Sequence, residues 1–192
     1  MDRRQEIMLA AEKSFTLFGY KATTMDQVAK IANVGKGTIY TFFSNKEELF
    51  HSIVWRMVKE MRDMAEEWIV EGASFEENAH AIIMQLLKFR ETHQLYIKLI
   101  EEEKELRTPA VGEVLASIEQ EILRFIQEKI ERSIAKGELK PCNSKLVSYL
   151  LLKSYIALVV DWDRTHDEEL PEEEITQLLS TTIFSSLAYK QI

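Results

Sequence analysis

Two apolar helical stripes separated by a three-residue turn constrain this chain more than any other feature. Thr24, with Gln27 three residues later, reads as a capping box, and Met25, Val28 and Ala32 then recur at helical spacing. Asn33-Val34-Gly35 follows. Asn and Gly tolerate left-handed backbone angles, so the chain can reverse there. A second short helix is predicted over about Lys36 to Phe42. Ile39 and Phe42 or Phe43 face inward on it, and Lys36, Thr38, Tyr40 and Thr41 are left facing out. Ser44 and Glu47 then make a second capping box, which starts a further helix at once.

Two short helices joined by a Gly-containing turn are the signature of the helix-turn-helix, whose second helix enters the major groove of DNA. The outward residues suit that task. Lys36 and Lys46 can neutralise phosphates. Thr38 and Tyr40 can hydrogen-bond phosphate oxygens, and Thr41 can reach base edges or a thymine methyl. Gly37 keeps the helix surface low, so a DNA backbone can come close. Thr24, at the cap of the first short helix, completes the DNA-facing set. The same spacing also fits a small helical hairpin whose polar face is merely solvated.

The segment Phe15 to Phe50 closely resembles the DNA-binding head of the tetracycline-repressor (TetR) family of bacterial transcription regulators. The likeness covers about the first quarter of the chain. It rests on Phe18-Gly19-Tyr20, Thr23-Thr24, Val28-Ala29, the run Val34-Gly35-Lys36-Gly37-Thr38-Ile39-Tyr40, Phe43, and Lys46-Glu47-Glu48-Leu49. Gly35 stands where the family usually has a capping Ser; Gly at an N-cap costs only a few tenths of a kcal/mol by comparison. Thr41 stands where the family often has a His or an aromatic residue, so the resemblance carries over no operator sequence.

The net charge of −8 looks wrong for a DNA binder until its distribution is considered. Residues 1–46 hold seven Lys or Arg against four Asp or Glu, and the remainder holds 17 against 28. A basic head on an acidic body binds DNA in one orientation and repels it elsewhere. The 192 residues, 46% of them apolar, can build a sizeable core. Asp2-Arg3-Arg4-Gln5 lead straight into an amphipathic helix, which is not a signal pattern. The apolar run Leu146 to Val160 is too short and too polar to span a membrane. The one cysteine, Cys142, excludes an internal disulfide framework and fits the cytoplasm.

No strand pattern or repeat appears, so the chain is read as all-α with about nine helices. A three-helix head (residues 1–46) should pack around Phe15, Phe18, Val28, Ile31, Ile39 and Phe43, and a helical-bundle body should follow (residues 47–192). Asp2 and Gln5 make a cap pair for the first helix, and Gly19-Tyr20 reads as its C-cap. A single helix from Asn45 to about Glu71 joins head to body, with Gly72 ending it. Ser74 and Glu77 cap the next, to about Glu91. His93 to Leu106 is shorter, and its Glu101–Glu105 run reads as a solvated face. After Pro109 a helix runs to about Lys136. Asn143 or Ser144 caps one from Lys145 to about Arg164, apolar on so many sides that it must be buried on more than one. A last helix carries Ile175 to Leu187.

Asp161, Asp163, His166 and Asp167 could hold a divalent cation, but a polar helix end running into a solvated loop is the simpler reading, and no metal site or cofactor is assigned. No Gly-rich phosphate loop, Cys pair or nucleophile elbow is present, so an enzyme is not expected. Met57, Met61, Met64, Trp68, Phe89, Tyr96, Phe125 and Tyr155 give the body more Met and aromatic residues than a plain bundle needs. Core and dimer packing is the plain reading of any one of them, and an adaptable pocket for an apolar ligand is the functional alternative, which the residue pattern alone does not show. The resemblance to the TetR family implies the rest: a homodimer on a pseudo-palindromic operator, and a body pocket whose small-molecule effector weakens DNA binding. It also implies a four-helix dimer interface from the last two helices, expected to include Leu151, Leu158, Leu179, Ile183 and Leu187. The reading is a ligand-responsive regulator, a repressor as the resemblance implies, with double-stranded DNA as partner. The alternative is an architectural or partner-binding DNA-bound protein without an inducer.

Overall fold

The computed structural model describes residues 2–162, 166–167 and 170–188, and these form an all-α chain. The helices are α1 (Arg3–Ala22), α2 (Met25–Ile31), α3 (Lys36–Phe42), α4 (Lys46–Glu67), α5 (Phe75–Thr92), α6 (Gln94–Leu106), α7 (Pro109–Ala135), α8 (Ser144–Tyr155) and α9 (Glu172–Leu179). Two of them continue in wider π-helical turns, α8 through Ile156–Asp161 and α9 through Ser180–Phe184. By compactness the chain divides into one unit of Met1–Met61 with Arg90–Glu119 and another of Arg62–Phe89 with Gln120–Ile192.

In the first unit α1 opens on Asp2, whose side chain accepts the Arg4 N–H. Its Ile7, Ala11 and Phe15 are buried. The capping box on α2 forms as its sequence dictates, with Thr24 Oγ1 accepting from Gln27 N and the Gln27 side chain accepting from Thr24 N. Val28, Ile39 and Phe43 complete the head's core. Phe18 and Ile31, expected there, are 53% and 40% exposed. Gly19 lies at φ 82°, ψ 166°, where the chain kinks instead of ending in a C-cap. Beyond the kink Tyr20 turns inward, its ring 5.7 Å from Phe15 and 4.5 Å from Phe50. Tyr20 thereby supplies the ring that the period had assigned to Phe18.

The cap of α4 lies one residue later than Ser44 and Glu47 suggest. Asn45 Oδ1 accepts the Glu48 N–H at 2.8 Å, and the Glu48 carboxylate accepts the Ser44 N–H at 2.7 Å. Asn caps as well as Ser, so two adjacent frames competed and the sequence did not separate them. On α5 the expected box is present: Glu77 N donates to Ser74 Oγ, and Ser74 N to the Glu77 carboxylate. His93 caps α6 by accepting from Tyr96 N, and Arg107, in the left-handed region at φ 47°, ends it.

In the second unit Asn143 caps α8 by accepting from Leu146 N. The core gathers Ile83, Leu87, Ile130, Leu151, Leu152, Tyr155, Leu179 and Phe184 from α5, α7, α8 and α9. A lone antiparallel bridge joins Leu139 to Ala188. No helix among the described residues is long and apolar enough to cross a membrane. The corrected cap gives a direct test. Asn45→Ala should lower the unfolding free energy by about 1 kcal/mol, the usual cost of losing an N-cap, while Ser44→Ala should leave it nearly unchanged. Urea titrations of the two variants measure this, and the reverse order would restore Ser44 as the cap.

Candidate nucleic-acid interface

Of the seven residues of α3, Ile39 is buried and anchors the helix. Lys36, Gly37, Thr38, Tyr40 and Thr41 are exposed, and so is Thr24 at the cap of α2. Six of the seven residues expected to face DNA are therefore exposed, and the seventh, Lys46, is half-buried. Lys36 Nζ lies 2.9 Å from Asp26 Oδ1, with both side chains exposed. That hydrogen bond, with the carboxylate's charge behind it, raises the Lys36 pKa above the ordinary lysine value. Lys36 therefore stays cationic, and a phosphate can replace Asp26 as its partner. Thr41 Oγ1 donates to Thr38 O within the helix, so its methyl and oxygen lone pairs are left for an outside partner. A side chain added at Gly37 would meet no atom of the protein within 4 Å. Packing within the chain therefore does not require glycine there, whereas close approach of an outside backbone would.

Lys46 is employed differently from the expectation. Its Nζ donates to Tyr20 O at 2.9 Å and to Thr23 O at 3.0 Å, and sits 4.3 Å over the Tyr20 ring. Burial pulls its pKa below that of a free lysine. Two of its three donors are thus spent inside the protein, and its first role is to hold the turn between α1 and α2. The Glu101–Glu105 run is not uniformly solvated either. Glu102 is only 5% exposed, and its carboxylate accepts Tyr20 N at 2.6 Å and Lys21 N at 3.0 Å. Its spacing puts it on the buried stripe of α6, at i+7 from Leu95 and i+3 from Leu99, but its residue type reads as solvated.

The second unit holds a cavity of about 840 Å³. Ile82, Phe125, Ile126 and Phe184 line it, with Lys129 and Arg132 of α7 among its polar residues. Lys129 is paired with Glu66 at 2.6 Å and lies 4.7 Å over the Phe125 ring. Of the eight residues grouped as a pocket from sequence, Phe125 lines this cavity. Tyr155 is instead fully buried in the core of the same unit. Its hydroxyl lies 2.8 Å from His80 Nδ1, while His80 Nε2 lies 3.0 Å from Glu172. Burial, then Glu76 and Glu172, push the Tyr155 pKa far up, so it remains a phenol. Met57 and Met61 are buried in the first unit, where Tyr96 is half-buried and burial raises its pKa. Phe89 is half-buried, and Met64 and Trp68 are largely exposed. Phe75 and Phe184, which line the cavity, were missed because nothing in sequence sets the phase of α9 against the start of α5.

The residues expected between subunits differ in exposure within the chain. Leu151, Leu179 and Leu187 are buried within one chain, and Leu158 and Ile183 are half-buried. The apolar side chains that α8 leaves open are Leu146, Tyr149 and Leu150, and α9 leaves Leu178. A helix apolar on most sides spends one face on its own core, and sequence alone does not say which. Of the possible cation cluster, Asp163 lies outside the described residues, and the His166 ring stacks on Trp162 with centroids 3.7 Å apart. Cys142 is half-buried and its thiol pKa is pushed up by burial, which keeps it a thiol.

Comparison with known proteins agrees with this geometry. Residues 7–53 match the family described as bacterial regulatory proteins, tetR family. The chain is 50% identical over 188 residues to the HTH-type transcriptional regulator YhgD of Bacillus subtilis (strain 168), with 98% of each chain covered. Among solved structures, the flavonoid-responsive regulator FrrA superposes with a TM-score of 0.73 at 20% identity, covering 98% of each chain. SmeT, in its triclosan complex, superposes with a TM-score of 0.70 at 16% identity, covering 99% of this chain and 93% of the other. An open helix-turn-helix surface, an all-α body and half-identity to a regulator along nearly the full length together place the chain: it belongs to the TetR family of DNA-binding, helix-turn-helix transcriptional regulators.

Proposed function

We propose that the protein is a cytoplasmic, homodimeric repressor that binds a pseudo-palindromic operator and is released by an apolar or amphipathic small molecule. The observation that carries the effector is the cavity of about 840 Å³, which falls in the range of about 300–1,000 Å³ usual for small-molecule sites. An architectural protein has no use for such a void. The neighbours are in keeping: FrrA is described as flavonoid-responsive, and SmeT is seen with triclosan. Functionally, residues 1–46 serve DNA, and residues 47–192 serve assembly and the effector. Thr24, Lys36, Thr38, Tyr40 and Thr41 make the DNA contacts, with Gly37 admitting the backbone.

The two-fold partner covers the open apolar side chains Leu146, Tyr149, Leu150 and Leu178. Two heads held this way meet successive half-sites on one face of the duplex. The uninterrupted α4 begins at the head, and its Glu66 lines the cavity. A ligand that displaces the end of so stiff an element also moves its start, and with it the spacing of the two heads.

Three measurements test this reading. Gly37→Ala should leave the melting temperature unchanged or raise it, since Ala outranks Gly in a helix by about 1 kcal/mol. The same variant should lose affinity for a duplex selected by the wild-type protein, because the added methyl faces the DNA; undiminished binding would remove α3 from the interface. The wild type should sediment as a dimer, and Tyr149→Glu with Leu150→Glu should split it; a wild-type monomer at micromolar concentration would refute the assembly. Any compound that raises the melting temperature by filling the cavity should weaken operator binding by roughly 5–150-fold. By linkage, the operator should weaken that compound's binding by the same factor. Equal affinities with and without DNA would show that the cavity is not an effector site.

A further inference from the structure

The end of α1, from the kink at Gly19 into the turn at Thr23, is gripped from both of its polar sides by side chains that lie far away in sequence. Its N–H groups at Tyr20 and Lys21 donate to the two carboxylate oxygens of Glu102, on α6. Its carbonyls at Tyr20 and Thr23 accept from Lys46 Nζ, at the first turn of α4. Inside the turn, Thr23 Oγ1 donates to Gly19 O at 2.8 Å and lies 3.1 Å from Ser14 Oγ. Glu102 reaches the backbone only because residue 19 has no side chain. A Cβ at Gly19 would stand 2.6 Å from Glu102 Oε2, and the φ of 82° there is itself hostile to any other residue. Two independent features, a buried carboxylate and a glycine in a conformation that only glycine adopts easily, converge on one contact.

We infer that Glu102 is the positioning residue that fixes the orientation of the helix-turn-helix relative to α6. α2 hangs from this turn, and α3 is packed on α2 through the head's core, so the direction in which the turn leaves α1 sets the direction of α3. Backbone N–H groups held by a carboxylate form short, strong, directional bonds. A neutral or absent side chain at 102 removes the one grip that α6 has on these N–H groups, leaving Lys46, the Thr23 hydroxyl and the packed Tyr20 ring, and the head then samples several orientations. Only the fraction in the DNA-competent orientation binds, so apparent affinity falls by that fraction. Glu102 itself touches no nucleic acid in this account.

The test separates positioning from mere folding and from phosphate contact. Spin labels at Lys30→Cys on α2 and Glu105→Cys on α6, in a Cys142→Ser background and diluted with unlabelled chain, report the head's orientation as a distance distribution. Glu102→Gln should broaden or shift it, and Gly19→Ala, attacking the same contact from the backbone side, should do likewise. Binding of Glu102→Gln to a duplex selected by the wild type from a randomised pool should weaken about tenfold, the order expected for one lost charge-assisted hydrogen bond. Its dependence on salt should keep the wild-type slope, because no phosphate contact has gone. An unchanged distance distribution in a folded Glu102→Gln protein would overturn the inference, as would a reduced salt slope. If both variants fail to fold, hydrogen exchange of the wild-type amides decides: Tyr20 and Lys21 should be protected, and exchange as fast as at exposed Gly37 would refute the contact.

Discussion

A carboxylate taken out of water is costly unless its lone pairs are satisfied and its charge is answered. Glu102 meets both conditions within a few ångströms. Two backbone N–H groups occupy its oxygens, and the Lys46 ammonium is close enough for its charge to be felt. The interaction needs a kinked α1, a glycine at the kink and a lysine at the start of α4 all at once. The arrangement of the head follows from that requirement. Tyr20 swings in to join Phe15 and Phe50 because the chain is turned there, while Phe18, just before the kink, stays exposed.

Local chemistry was legible in the sequence wherever the partners lie within a few residues of one another. The capping boxes at Thr24/Gln27 and Ser74/Glu77 form as written. The open face of α3 needed no tertiary information beyond Ile39 as an anchor. At Ser44-Asn45 two good caps compete, and one hydrogen bond decides between frames. Where the partner lies tens of residues away, pattern failed. Glu102 is one of four glutamates in five residues; its spacing from Leu95 and Leu99 puts it on the inward face, but the backbone N–H groups that it holds lie 82 and 81 residues away.

The cavity and the open apolar face show the same limit from the other side. Met57, Met61, Phe125 and Tyr155 are all the right kind of residue for a pocket, but helical phase and packing send only Phe125 to the void. Leu151 and Leu150 are neighbours of the same size and chemistry, yet one is buried in its own chain and the other faces out. Residue type gave the inventory of buried surface, and the rotation of α8 and α9 decided which part is internal.

The wide turns in α8 and α9 also bear on how this chain is aligned with others. A π-helical turn closes its hydrogen bond one residue further along than an α-helical turn, so each such segment holds a residue that an unbroken α-helix would not. Side chains after Ile156–Asp161 and Ser180–Phe184 are therefore out of phase with those before. A relative with straight helices at these places matches this chain only if a single-position gap is opened inside a helix. Gap-free alignment would pair inward residues with outward ones beyond these segments, while Leu146, Tyr149 and Leu150, which precede the first of them, would keep their register.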